Sequence, residues 1–264
     1  MARRCIAVLT VALASILVAG CHLFGSGEQK TERWGGFLQD LRYEWDAEPG
    51  IDVTTGAVVP VRAYVESGRL AQSMGNMDYV YPGFTNAVPP DDPRDHGWGL
   101  QPNVNHPLDE ALVGNARYHI LSVSRTGDAL TVTMCNYDYS VAVQQADGRL
   151  HSVPADTDHQ PKGINAERMT LTAPSGPPSM TPQAGPSPAP SDDVFGGWRI
   201  TGYLFTPAQP GLKTQWPTYD ADVAKCVEKA PDSPERRAFL LNGEHPRSDF
   251  PTSPPSPGWP AASG

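Results

Sequence analysis

The chain has 264 residues and carries 20 Lys and Arg against 29 Asp and Glu, a formal net charge of -9. This balance argues against a nucleic-acid reader, because phosphate contacts need a basic surface. The 28 prolines and 25 glycines shorten the foldable part, which favours one core of roughly 150 residues with extended segments over two full domains.

The first 20 residues have the parts of an export signal. Arg3 and Arg4 form a charged start, residues 6–18 form an apolar middle, and two small residues precede Cys21. The apolar run is shorter than the about 20 residues of a spanning helix, which favours a cleaved signal over a permanent transmembrane anchor. The paired arginines leave open the twin-arginine export route, although their surroundings match that pattern poorly.

The segment Leu17-Val18-Ala19-Gly20-Cys21 resembles a bacterial lipobox. The resemblance implies that residues 1–20 are a lipoprotein signal peptide and that Cys21 carries a diacylglycerol. It places the protein on the extracytoplasmic side of the cell membrane. Cleavage removes two of the 20 basic residues and none of the 29 acidic ones, so 18 stand against 29 and the net charge becomes -11. Residues 21–31 are predicted to be a polar tether. Because no polybasic patch follows Cys21, membrane attachment is expected to depend on the two acyl chains.

Cys5 lies in the predicted signal and Cys21 is the predicted lipidation site, which leaves Cys135 and Cys226. In an exported chain such a pair is expected to form a disulfide. Closing a loop of about 90 residues stabilises by up to about 4–5 kcal/mol according to chain entropy. The alternative is a catalytic thiol, but neither cysteine has a histidine close by in sequence to lower its pKa.

Two helices are predicted to begin a single α+β domain over residues 32–243. In residues 32–45 the apolar side chains recur at helical spacing, at Trp34, Phe37, Leu38, Leu41 and Trp45. Pro60 suits the first turn of a second helix, where its missing N–H is harmless. The inner face of this second helix is predicted to hold Val61, Tyr64, Val65, Gly68 and Ala71. Gly68 is expected to allow close approach of a neighbouring element.

Residues 88–107 contain five prolines and no periodic pattern. Their polar side chains include Asp91, Asp92, Asp95, His96 and His106. These acids and histidines raise a metal hypothesis, but neither a helical His spacing nor a calcium-loop pattern supports it. We therefore predict a solvated loop and no metal or other cofactor.

Strand patterns begin near residue 116. Residues 118–124 and 129–143 predict an antiparallel hairpin around the turn at residues 126–128. In its second strand the apolar residues change from even to odd positions, which predicts a bulge or sharp bend near Cys135 and Asn136. Such a bend curves the sheet.

The remaining pattern predicts further strands at 164–171 and 194–206, separated by a Pro-rich loop at 174–193. Residues 220–230 are expected to form an amphipathic helix that places Cys226 on the sheet near Cys135. A brief helix is predicted at 233–241. The tail at 244–264 holds many prolines and is predicted to be extended on the surface or disordered.

Several phrases carry a resemblance to a family of actinobacterial, mycobacterial-type lipoproteins, over about residues 31–259. They are residues 62–67 (RAYVES), 81–84 (YPGF), 134–137 (MCNY), 195–198 (FGGW) and 243–251 (GEHPRSDFP). The resemblance supports lineage and envelope location, and brings no catalytic or binding residues with it.

N-terminal helices that lead into a strongly curved antiparallel sheet also resemble the cone-like fold of nuclear-transport-factor-2-like domains. This resemblance is at the level of fold. It implies a pocket between the first helices and the sheet, which in some members binds a ligand or partner and in others holds a catalytic Asp or His.

Two functions follow as hypotheses. The first is a membrane-anchored, non-catalytic binding or accessory module that takes an envelope protein or a small apolar ligand. The alternative is a small-molecule enzyme of isomerase, dehydratase or hydrolase type, with His119 and Asp138 as general acid and base in a cone-shaped pocket. The sequence contains no nucleophile elbow, phosphate loop, dinucleotide fingerprint or zincin motif, so the binding module is favoured.

Overall fold

A computed structural model of the protein describes residues 33–92, 99–156, 158, 161–176, 179–206 and 208–262. Its strands are β1 (Asp40–Ala47), β2 (Leu112–Thr126), β3 (Ala129–Tyr137), β4 (Val141–Gln144), β5 (Leu150–Ser152), β6 (Ile164–Thr172), β7 (Arg199–Leu204) and β8 (Glu244–His245). They form one open sheet in the order β7-β6-β3-β2-β4-β5-β8, and β1 pairs with β2 outside this path. The β1–β2 pairing is parallel and the other pairings of the described strands are antiparallel.

The described residues form five α-helices: α1 (Val58–Met74), α2 (Phe84–Ala87), α3 (Leu212–Gln215), α4 (Tyr219–Lys229) and α5 (Pro234–Leu240). Short 3-10 turns lie at Gly36–Leu38, Met77–Tyr79, Val153–Asp156 and Arg247–Asp249. None of these helices combines the length and the apolar character that a membrane crossing requires. The prediction of a mixed helix-and-sheet fold with an antiparallel sheet is confirmed.

Both faces of the sheet are covered by apolar side chains. On one face, residues of α1 such as Val61 and Leu70 pack with Met134 in what we call the α1 cluster. On the other, Cys226 of α4 packs with Cys135 in the α4 cluster. Because successive strand residues point to opposite faces, adjacent residues of β3 belong to different cores.

This two-sided burial corrects the predicted bend near Cys135 and Asn136. The pairings of β3 with β2 and β6 run without interruption through both residues. The apolar phase changes because the end of β3 is buried on both faces. The chain then turns and resumes as β4. The sheet does contain a register shift close to the predicted position, but the extra residue is in β2, between Ile120 and Ser122, opposite Met134 and Thr133 of β3.

The predicted helix at residues 32–45 is wrong. Residues 40–47 form β1, in which Leu41, Tyr43 and Trp45 are buried alternately with more exposed neighbours. A spacing of four residues fits one face of a helix and one face of a strand equally well. The alternation through Tyr43 marks the strand, and Phe37, which belonged to the predicted stripe, is exposed.

Other predicted elements agree with the structure. The hairpin forms as β2 and β3, the strand at 164–171 as β6, and the helices at 220–230 and 233–241 as α4 and α5. The strand predicted at 194–206 is shorter, as β7. A disulfide joins Cys135 to Cys226 with an S–S distance of 2.06 Å and thereby links α4 to β3.

The last residues are part of the core, which differs from the predicted extended or disordered tail. Trp259 is fully buried and its indole N–H donates a hydrogen bond of 2.7 Å to Glu66 of α1. Arg62, also fully buried, donates to the carbonyl oxygens of Pro257 and Gly258 at 2.8 and 3.0 Å. The tail is held because it supplies acceptors and a donor that these two buried charges need.

The Pro-rich loop contacts the same region. Ser187 and Trp259 exchange two backbone hydrogen bonds, and Arg62 also donates to the carbonyl of Gln183 at 3.0 Å. Where it is described, the loop therefore packs on the tail and on α1.

Candidate functional site

A cavity of about 550 Å³ lies between α1 and the sheet. Residues from one side of α1, from four strands and from a covering segment at 99–103 line it. Those that the chemistry uses are Tyr64, Gly68, Arg69, Tyr118, Asn136, Asp138, Glu167 and Tyr203. Cavities that bind small ligands typically enclose about 300–1,000 Å³, so this one has the size of a ligand site.

Glu167 is the most enclosed charged group of the cavity wall. It is 4% exposed, and its two carboxylate oxygens accept hydrogen bonds from the Asn136 amide at 3.0 Å and the Tyr203 hydroxyl at 2.8 Å. Both donors are neutral. Burial disfavours the charged carboxylate and raises the pKa of Glu167, although these hydrogen bonds and the charge of Arg69 act in the opposite direction.

The direction of Glu167 follows from strand alternation. In β6, Met169 and Leu171 belong to the α1 cluster, and Glu167 lies two residues before Met169 on the same face.

The side-chain oxygen of Asn136 on the neighbouring strand is buried and has no hydrogen-bond partner among the described residues. The cavity wall therefore contains an acceptor whose hydrogen-bonding capacity is unused.

Arg69 reaches the cavity from α1. Its side chain is exposed and lines the cavity. Burial alone would lower its pKa, but electrostatic interactions with Tyr43, Tyr118 and Asp138 and a polar contact with the Tyr43 hydroxyl raise the pKa of Arg69. The guanidinium therefore stays charged.

Gly68 precedes Arg69 and opens the cavity on the helix side. A Cβ atom at this position would meet no other atom within 4 Å. The predicted close approach of a neighbouring element at Gly68 is therefore wrong, because the glycine faces open space.

The structure separates the two predicted catalytic residues. Asp138 lines the cavity, but His119 pairs with Cys135 in the sheet register and so lies on the opposite face from Asn136. Its ring nitrogens contact Asp46 at 2.7 Å and Glu48 at 3.1 Å. His119 belongs to a second cavity of about 430 Å³. The prediction that His119 and Asp138 converge in one pocket is therefore wrong.

The other predicted sites divide between described and undescribed residues. Cys21, His96 and Asp95 lie outside the described residues. Asp91 accepts a hydrogen bond from the backbone N–H of Gln101 at 2.9 Å, which helps to fix the segment that covers the cavity. Among the described residues, no three His, Cys, Asp or Glu side chains are grouped as metal ligands.

Sequence reasoning missed Arg69 and Glu167. The available signal for Glu167 was its position in phase with Met169 and Leu171, which places a charged residue on the apolar face of a strand. Arg69 follows Gly68, a predicted inner-face residue of the helix, by one position. No protein-family model matches the chain, and a comparison with curated proteins finds no match either.

Replacing Glu167 by glutamine is expected to change how stability depends on pH. A raised pKa means that the folded protein holds a proton that the unfolded chain releases, so stability falls as pH rises above the ordinary glutamate value of 4.5. Glu167→Gln has no carboxyl group to lose that proton, so its stability does not show this fall with pH. The difference in unfolding free energy should shift in favour of Glu167→Gln by about 1.4 kcal/mol for each unit of raised pKa.

Urea unfolding at a series of pH values measures this difference. Glu228→Gln, which changes an exposed residue of α4, is the matched control and should follow the wild-type profile. A difference between Glu167→Gln and wild type that does not vary with pH would contradict the prediction.

Proposed function

We propose that the protein is a cell-envelope lipoprotein, held at the membrane by lipid on Cys21, that binds a small molecule in the cavity between α1 and the sheet. This function corresponds to the first hypothesis from the sequence, a non-catalytic binding or accessory module. The observation that carries it is the cavity itself, which joins aromatic walls to the charged groups of Arg69 and Glu167. Because these charges lie inside, a polar ligand is favoured over the apolar ligand expected from the sequence.

We also propose that the sheet curves around the cavity as a cone does, in the manner of nuclear-transport-factor-2-like domains, and that the chain shares the lineage of the actinobacterial, mycobacterial-type lipoprotein family. Support for the shape comes from the contribution of β2, β3, β6 and β7 to one cavity opposite a single helix. Support for the location comes from the lipobox-like segment ending at Cys21.

An experiment that separates a small ligand from a protein partner starts with the Cys21→Ser protein and a protein-free envelope extract. After incubation, native mass spectrometry should detect the polypeptide with a retained small molecule. If the extract gives no complex while the protein fraction of the envelope does, the protein is a partner-binding module and the ligand proposal fails.

The enzyme alternative keeps one supporting observation, with different residues from those predicted. Glu167 and Asp138 line the same cavity and interact electrostatically, and a carboxyl with a raised pKa suits a general acid or base. For this function the retained molecule should be converted by the wild type and left unchanged by Glu167→Gln. If the retained molecule stays unchanged with both the wild type and Glu167→Gln, the enzyme hypothesis is wrong.

Replacing Cys21 by serine is expected to release the protein from the membrane fraction, because two buried acyl chains supply the attachment. Cys5→Ser is the matched control, since Cys5 lies in the segment predicted to be removed. Cell fractionation and mass spectrometry of the mature N-terminus measure the result. Membrane retention of Cys21→Ser, or an N-terminus that still contains residues 1–20, would contradict the anchor.

A further inference from the structure

We propose that the cavity ligand is a small zwitterion, an amino acid or short peptide, whose acidic group binds Arg69 and whose amino group binds Glu167. This inference rests on the proposed function, and it adds the chemical class of the ligand. Its starting point is the presence of a basic and an acidic side chain in one cavity that do not form a salt bridge with each other among the described residues.

Among the residues that the structure describes, the salt bridges of 4.0 Å or less include neither Arg69 nor Glu167. The two groups are nevertheless near enough for the charge of Arg69 to lower the pKa of Glu167 against the effect of burial. Space for a bridging molecule therefore lies in the same cavity as both charges.

Each group has neutral hydrogen-bonding partners. Asn136 and Tyr203 occupy one lone pair on each oxygen of Glu167, and the Tyr43 hydroxyl contacts Arg69. Glu167 is buried, and a buried charge that has only neutral partners costs free energy. A ligand ammonium group recovers that cost at Glu167, and a ligand carboxylate at Arg69 keeps the net charge that the ligand adds at zero.

The geometry of each end suits its partner. A guanidinium presents a planar set of N–H donors that matches a carboxylate, whereas each Glu167 oxygen keeps a further lone pair for an ammonium. The charge of Asp138, in the same cavity, raises the pKa of Arg69 and so maintains the cationic end of the site.

The aromatic residues of the cavity wall favour an aromatic or other apolar side chain on the ligand. Tyr64 and Tyr203 meet edge to face at 5.5 Å between ring centroids, and Phe205 stacks on Tyr203 at 4.9 Å. All three line the cavity. Aromatic rings contribute beyond area burial when they pair in these geometries, so we use phenylalanine as the probe.

The test compares three molecules that share a benzyl group. L-Phenylalanine carries both charges, 3-phenylpropanoate lacks the amino group, and 2-phenylethylamine lacks the carboxylate. Calorimetric titration of the Cys21→Ser protein should give L-phenylalanine an affinity at least about tenfold above either analogue, the equivalent of about 1.4 kcal/mol. Equal affinities, or tighter binding of either analogue, would overturn the zwitterion assignment.

Two variants assign the charges to their residues. Arg69→Gln should abolish the preference for L-phenylalanine over 2-phenylethylamine and keep the preference over 3-phenylpropanoate. Glu167→Gln should do the reverse. If a variant fails to fold, as judged by urea unfolding, the three-ligand comparison in the protein with native cavity residues still decides the proposal.

The result also distinguishes this inference from the proposed function. Retention of an envelope molecule together with no binding of L-phenylalanine would overturn the zwitterion class and leave the binding module intact. Absence of both would overturn the two proposals together.

Discussion

Trp259→Ala is expected to lower the free energy of unfolding by about 3–5 kcal/mol, the usual cost of truncating a large buried aromatic residue. Trp259 is 1% exposed, and its ring lies 4.3 Å from the guanidinium carbon of Arg62. The alanine leaves a cavity beside this cation. It also removes one of the donors of the Glu66 carboxylate, whose burial already raises the pKa of Glu66.

The size of this effect distinguishes a core position from a surface tail. Urea unfolding of wild type and variant gives the difference in free energy. Phe239→Ala is a control, because Phe239 is 47% exposed and should change stability much less. A Trp259→Ala protein as stable as wild type would show that the C-terminal residues do not close the core.

Removal of the disulfide is expected to cost about 2–5 kcal/mol. The bond joins residues separated by 91 positions, so it restricts a long loop of the unfolded chain. Both cysteines are fully buried in the α4 cluster. The double variant Cys135→Ala and Cys226→Ala should therefore unfold at lower urea concentration than wild type.

Reductant provides the matched comparison for this prediction. A reductant should move the unfolding midpoint of wild type toward that of the double variant, and should leave the double variant unchanged. Alkylation of the native protein without reductant should label neither Cys135 nor Cys226. Strong labelling of both, or a wild-type midpoint that ignores complete reduction, would contradict the stabilising role.

The separation of His119 from Asp138 shows where sequence reasoning reaches its limit. Thr126 pairs with Ala129 and Ser122 with Thr133, and this register, continued, would bring His119 opposite Asn136 on the cavity face. The register instead shifts by one residue at Leu121, and His119 pairs with Cys135. A single extra residue in one strand moves the side chains beyond it to the other face of the sheet. No pattern in the sequence predicted this extra residue.

Elements with one strong local signal were predictable. Pro60 and the apolar spacing after it indicated α1, and the alternation in residues 129–134 indicated β3. β1 was not recognised, because Leu41 and Trp45 fit both periods and only Tyr43 distinguishes them. The tail was misjudged because its prolines suggested exposure, whereas Trp259 is held by two charges nearly 200 residues earlier in the chain.

The candidate site depends on similar long-range contacts. Arg69 on α1 and Glu167 on β6 line the same cavity only after β2, β3 and β6 have paired. From the sequence, Asp138 was identified as a residue that faces a pocket, and a pocket between a helix and the sheet was expected. The charges that define its chemistry were missed because each is unremarkable within its own segment.

We propose that the space between α1 and the sheet holds a ligand. Gly68 offers its most direct test, because it lines the cavity and a Cβ atom added there meets no other atom within 4 Å. Glycine is also a poor residue for a helix interior, by about 1 kcal/mol relative to alanine. Gly68→Phe and Gly68→Ala should therefore both fold, the first with a filled cavity and the second with room left.

Native mass spectrometry of the three proteins after exposure to the same envelope extract is the deciding measurement. We predict that wild type and Gly68→Ala retain the small molecule. Gly68→Phe should not retain it, although urea unfolding should show that this variant is folded. Undiminished retention by Gly68→Phe would contradict the claim that this cavity is the binding site.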